Sequence, residues 1–119
     1  MISNILIGLV ALLHLYFLWF EMFAWESRGP KVFRSFPKNL FAPTRSMAAN
    51  QGLYNGFLAA GLIWAFFIGE PVWRDNVALF FLGCVLVAAL YGAATVERKI
   101  FFVQGVPAVL GVVAVLVGW

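Results

Sequence analysis

The chain has 119 residues, of which 64% are hydrophobic and 11% charged, with a net charge of +3. Soluble domains carry about 25% charge, so this composition excludes an ordinary water-soluble globule. It leaves one domain built for an apolar solvent. Cys84 is the only cysteine, which rules out an internal disulfide. It lies in an apolar run and reads as a small packing residue.

The first apolar run spans residues 2–25. That is close to the roughly 20 residues a helix needs to cross the hydrocarbon core. No Lys or Arg precedes it and no small-residue cleavage site follows, so it reads as a retained span rather than a signal. It contains His14 and Glu21. Seven residues are two helical turns, so these side chains share a face to within about 20°. A carboxylate in hydrocarbon costs roughly 3 kcal/mol or more near the centre. Glu21 is therefore expected to face a partner or a wet cavity, with His14 nearer mid-depth. Two plainer readings stay open. Glu21 pairs with Gln51 or Asn55 or is protonated, and His14 bonds Tyr54 or a backbone carbonyl.

Residues 26–46 form the longest connection and hold Arg28, Lys31, Arg34, Lys38 and Arg45. Gly29-Pro30 and Pro37 interrupt any long helix here. Phe33, Phe36, Leu40 and Phe41 are interleaved with the cations. One reading is a short surface segment with aromatics dipped into lipid and cations on anionic headgroups. The other is a solvated basic loop that only sets topology. Nucleic-acid binding is not needed to explain these cations.

The second span, 47–69, opens with Asn50, Gln51, Tyr54 and Asn55. Gln51 and Asn55 are one turn apart with Tyr54 beside them. Gly52, Gly56 and Ala60 form a neighbouring stripe of small residues that lets another backbone come close. A connection with Arg74 as its only cation leads to span three, 76–95, which carries Tyr91 and Thr95. Arg98 and Lys99 precede span four, 100–118, which carries Gln104. Pro107 deprives the Val103 carbonyl of its usual helical partner.

Backbone groups in lipid must be satisfied within the segment, so the four spans are expected to be helices. The fold class is an all-α integral membrane four-helix bundle, one transmembrane domain over residues 1–119. Basic connections stay cytoplasmic, which puts residues 26–46 inside and both termini outside. All the polar side chains except His14 then fall in the cytoplasmic half. The expected ligand-binding set is His14, Glu21, Gln51, Tyr54, Asn55, Tyr91, Thr95 and Gln104, with Asn50 nearer the interface. Interhelical hydrogen-bond glue is the plainer role for the uncharged members. Arg45 or Arg98 is long enough to fold back and neutralise Glu21. No phosphate loop or His-Glu-x-x-His pattern is present. One His and one Glu do not complete a zinc site, so no metal is assigned and the cofactor is left unknown.

The blocks His14-Leu15-Tyr16, Glu21-Met22-Phe23-Ala24-Trp25, Asn50-Gln51-Gly52-Leu53-Tyr54-Asn55-Gly56-Phe57, Tyr91-Gly92-Ala93-Ala94-Thr95 and Gln104-Gly105-Val106-Pro107-Ala108 carry a resemblance. The chain resembles the small bacterial membrane proteins grouped as domain of unknown function 1304, over nearly its whole length. The resemblance implies a multi-pass protein of the bacterial inner membrane and supplies no activity. Arg45 to Phe57 is also loosely similar to the second span of the membrane-associated eicosanoid and glutathione metabolism proteins. That similarity implies four spans and a trimer. Their glutathione-binding basic residues have no counterparts in spans three and four here.

Three functions follow as alternatives. A homo-oligomer binds or conducts a cation, a proton or a small polar ligand. A membrane enzyme acts on a lipophilic substrate, with Glu21 as acid or base, His14 as its partner, and Tyr54 or Tyr91 as donor. A structural subunit uses its polar groups only to lock helices together. The expected partners are the lipid bilayer and further copies of the chain.

Overall fold

A computed structural model describes residues 1–119 and is entirely helical. Helix α1 covers Ile2–Phe23, α2 Trp25–Val32, α3 Arg45–Phe66, α4 Pro71–Thr95 and α5 Val106–Val117. A 3₁₀ turn, Lys38–Leu40, precedes α3, and a π-helical turn, Phe101–Gly105, leads into α5. Two of these helices, α1 and α4, are long and apolar enough to cross a membrane by length and composition. The stretch Phe101–Val117 is apolar but shorter. Helix α3 is as long as α1, but Arg45, Asn50, Gln51 and Asn55 make it less apolar.

The ends of these helices follow from local chemistry. Helix α4 starts at Pro71, five residues before the expected boundary at 76. The Glu70 carboxylate accepts the backbone N–H of Val72 at 3.2 Å and of Trp73 at 2.8 Å. Pro71 occupies the first turn, where its missing N–H is no loss. Helix α5 ends at Gly118, whose φ of +80° gives the left-handed turn that closes the last carbonyls. The helix departs from α geometry just ahead of Pro107. The chain widens there, and Val106 N–H bonds the carbonyl of Phe101, five residues back.

The chain divides into two compact units. The terminal unit comprises Met1–Leu13 and Leu58–Trp119. Its core is apolar and closely filled: Ile7, Val10, Ala11, Leu62, Ala65, Ala78, Leu82, Val85, Ala108 and Val115. Small residues let the helices close up. Gly111 lies against Leu82, and the Phe81 ring occupies the space a side chain at Gly61 would need. The two ends of the chain meet here. The Met1 amine donates to the Trp119 carbonyl at 2.8 Å, and the Ser3 N–H reaches the same oxygen at 3.0 Å.

The Glu21 unit comprises His14–Phe57. The chain leaves α1 through a bend at Ala24 and continues at once as α2. This eight-residue helix runs through Gly29 and Pro30, so the connection is more ordered than its glycine and prolines suggest. Gly29 is required because the Phe41 ring sits where its Cβ would project. The aromatics of this connection do not point outward as one sequence reading had them. Trp25 gathers Phe33 at 5.9 Å, Phe36 at 6.0 Å and Phe41 at 5.0 Å between ring centroids, with Phe20 of α1 at 5.8 Å. The Trp25 indole N–H donates to the Thr44 hydroxyl at 3.0 Å. An indole half withdrawn from water needs such an acceptor, and this bond ties the start of α2 to the approach of α3.

Candidate functional site

Glu21 lies in the last turn of α1 and is 8% exposed. Its partners come from the first half of α3. Gln51 and Asn55 are four residues apart, so their side chains stand one above the other on a single helix face. The Gln51 amide donates to Oε2 of Glu21 at 3.0 Å, and the Asn55 amide donates to Oε1. An ionised carboxyl only accepts, so both amides turn their NH₂ groups toward it. Each oxygen thus receives one neutral donor.

Gly52 makes this reach short enough. A Cβ at position 52 would stand 2.9 Å from Cβ of Glu21, 2.9 Å from Cγ of Met22 and 3.1 Å from the Leu18 carbonyl oxygen. One turn on, Gly56 faces the Leu18 side chain. The small-residue stripe and the polar stripe of α3 therefore act on the same neighbour. The glycines bring the backbone of α3 onto α1, and the amides then meet the carboxyl.

His14 is fully buried. Its ring packs edge-on against Phe17 with centroids 5.2 Å apart. Tyr54 is 56% exposed and rests against Phe57. Asn50 is also exposed. Tyr91, Thr95 and Gln104 belong to the terminal unit. Tyr91 is 70% exposed. The Thr95 hydroxyl donates to the Tyr91 carbonyl at 2.7 Å, the back-bonding a threonine makes within its own helix. Gln104 is half-buried in the π-helical turn. Of the eight expected side chains, Glu21, Gln51 and Asn55 form one hydrogen-bonded set.

Arg45 does not neutralise Glu21. Its guanidinium lies 3.7 Å from Glu26 in an exposed pair. No three His, Cys, Asp or Glu side chains gather closely enough to hold a metal ion. The amides stabilise the Glu21 carboxyl without cancelling a charge on it. A group that is buried and ionised is costly unless it is both hydrogen-bonded and paired. The set supplies the hydrogen bonds. It lacks a cation.

Two side chains of the unit were not singled out as interacting in the sequence reading. Thr44 completes the Trp25 indole, and Glu26 takes Arg45. A signal for the second pair existed, since both sit in the basic segment, but which acid takes Arg45 depends on the bend at Ala24.

Comparison with known sequences places the chain in a family. The chain belongs to the family described as "Protein of unknown function (DUF1304)", whose pattern matches residues 8–116. It is similar to the uncharacterized protein YpaA of Lactococcus lactis subsp. lactis (strain IL1403). The two are 32% identical over 115 residues, which is 95% of each chain. No solved structure matches it.

Proposed function

We propose that the chain is a multi-pass protein of the bacterial inner membrane that binds a small cation, the proton included, at Glu21, Gln51 and Asn55. In this reading α1, α3, α4 and the stretch Phe101–Val117 make the four crossings of a single transmembrane domain. The length and apolarity of α1 and α4 support it. So does the meeting of the chain ends, since an even number of crossings returns both termini to one side. The five cations of residues 26–46 then mark the cytoplasmic side. Further copies of the chain would supply the walls that four helices alone are too few to provide.

One observation carries the assignment. Glu21 is an acid buried within an apolar helix, and each of its oxygens is met by a neutral amide. Such a carboxyl is bonded but not paired. A cation arriving beside it meets a negative charge in surroundings of low dielectric, where attraction is far stronger than in water. Rotating the Gln51 or Asn55 amide by about 180° would turn its carbonyl oxygen toward such an ion, a neutral ligand of the kind hard cations prefer. Gln51 is exposed, which gives such an ion an approach to the set. His14 and Tyr54, in the same unit as Glu21, belong to the outer part of the proposed site.

The same geometry favours one competing reading, in which Glu21 only fastens α1 to α3 between Gly52 and Gly56. The two differ in what Glu21→Gln does. A glutamine keeps a carbonyl acceptor for an amide and removes the charge. The purified protein in neutral detergent is to be melted across a series of Na⁺, K⁺ and pH. Wild type is expected to gain stability with the bound cation by mass action, about 2.7 kcal/mol at a hundredfold excess over the dissociation constant. Glu21→Gln is expected to melt as a folded protein without that gain. Identical cation and pH responses in the two proteins would reject a bound cation and leave the fastening role.

A further inference from the structure

The basic segment is a fixed surface. Its aromatics are used internally: Phe41 is 2% exposed, and Phe33, Phe36 and Phe41 close around Trp25, which Thr44 holds. What remains outward is charge. Arg28, Lys31, Arg34, Lys38 and Arg45 are all exposed. Against them the segment offers one acid, Glu26, and it pairs with Arg45 alone. Lys31, Arg34 and Lys38 take part in no ion pair.

Arg28 is placed differently from the rest. Its guanidinium carbon lies 6.0 Å from the ring centroids of both Tyr16 and Trp19 on α1. A guanidinium resting on aromatic faces keeps its N–H edge free, and that edge matches the oxygens of a phosphate. Tyr16 and Trp19 are themselves exposed and form an apolar flank next to the cation. A free phosphate has no use for that flank. A phosphate carrying acyl chains does.

We propose that this surface binds the headgroup of an anionic phospholipid. Arg28 takes the phosphate, Lys31, Arg34 and Lys38 hold the surrounding negative charge, and the chains run past Tyr16 and Trp19 toward the membrane interior. The proposal rests on the membrane reading above, in which the cytoplasmic headgroups lie toward the Glu21 end of α1.

The test uses the full chain in neutral detergent micelles, titrated with phosphatidylglycerol or phosphatidylcholine at low salt. Bound lipid is counted by native mass spectrometry. Phosphatidylglycerol is expected to saturate and phosphatidylcholine not to bind. Each juxtamembrane cation contributes a factor of about five at low salt. Arg28→Gln should therefore weaken binding about fivefold, and the combined Lys31→Gln, Arg34→Gln, Lys38→Gln variant by more than tenfold. Arg74→Gln, outside the segment, should change nothing. Arg28, Lys31, Arg34 and Lys38 are exposed and Arg74 is half-buried, and circular dichroism checks that the helices persist. If Arg28→Gln unfolds, the triple variant carries the test alone. Equal binding of both lipids, or equal effects of Arg28→Gln and Arg74→Gln, would overturn the proposal. Displacement of the lipid by equimolar inorganic phosphate would overturn it too, by making the site one for a free anion. Alkaline carbonate extraction of cell membranes separates this from the reading it rests on. Protein that washes out refutes the crossings whatever the titration gives. Protein that stays in but shows no lipid preference refutes only the headgroup site.

Discussion

The two units of the chain share helices but not a way of holding together. In the terminal unit, α1 contributes Ile7, Val10 and Ala11 and α3 contributes Leu62 and Ala65, all to an apolar core. In the Glu21 unit the same helices contribute a carboxyl, two amides and two glycines. Packing without polar groups needs only shape. Packing around an acid needs donors at the right turn of the neighbouring helix and a backbone close enough for short side chains to reach. The difference shows that a single helix pair can be specified by fit over one stretch and by hydrogen bonds over another.

Substitutions break or sharpen this contrast, and their expected sizes fall in order. Leu82→Ala empties a site with no exposure in the terminal core. It should cost about 2–5 kcal/mol by analogy with buried leucines elsewhere, read as a loss of thermal stability in detergent by circular dichroism. Gly52→Val forces a side chain onto Glu21, Met22 and the Leu18 carbonyl. Its expected cost is about 1–3 kcal/mol, and Glu21 should lose its bonds to the amides, visible as altered amide resonances for Gln51 and Asn55. A wild-type melting temperature for Gly52→Val would show that α1 and α3 can separate here freely.

Glu21→Leu leaves two amides facing a hydrocarbon side chain. Unmet donors cost about 1–3 kcal/mol, whereas Glu21→Gln keeps an acceptor and should lose about 0.5–1.5 kcal/mol. If the leucine variant is the more stable of the two by chemical denaturation, hydrogen bonding does not hold this unit and the contrast between the units disappears. The smallest effect is expected from Arg45→Gln. Its partner Glu26 is 3.7 Å away, with the Arg45 side chain 73% and the Glu26 side chain 48% exposed. Such pairs contribute about 0–1 kcal/mol, so a melt of this variant should nearly overlay the wild type.

Much of the Glu21 set was legible in the sequence. An acid in an apolar run must find donors, and Gln51 and Asn55 at a spacing of four offered them on one face. Gly52 and Gly56 were legible as a packing stripe. What spacing could not give was that both stripes meet the same helix, because two neighbouring faces of α3 can meet α1 together only at close approach. Tyr91, Thr95 and Gln104 share a polar character with that set, but character gives no bond. Thr95 had a carbonyl of its own helix four residues away and took it. The Trp25 cluster was beyond sequence reasoning for another reason. Phe33, Phe36 and Phe41 have no regular period, and which face each ring presents depends on the bend at Ala24 and on a proline-containing helix. The boundary of α4 was within reach, since Glu70-Pro71 is a capping pair, yet the charges of Arg74 and Asp75 suggested a later start.

The wide turn at Phe101–Gly105 bears on how this gene can change. A π-helical turn holds one residue more than the α-helix it interrupts. Deleting a residue there restores an ordinary turn and leaves Ala108, Gly111, Ala114 and Val115 facing as they do now. The same deletion inside α4 would rotate everything beyond it by about 100° and drag buried positions to the surface. Length variation among descendants of this sequence should therefore collect just ahead of Pro107.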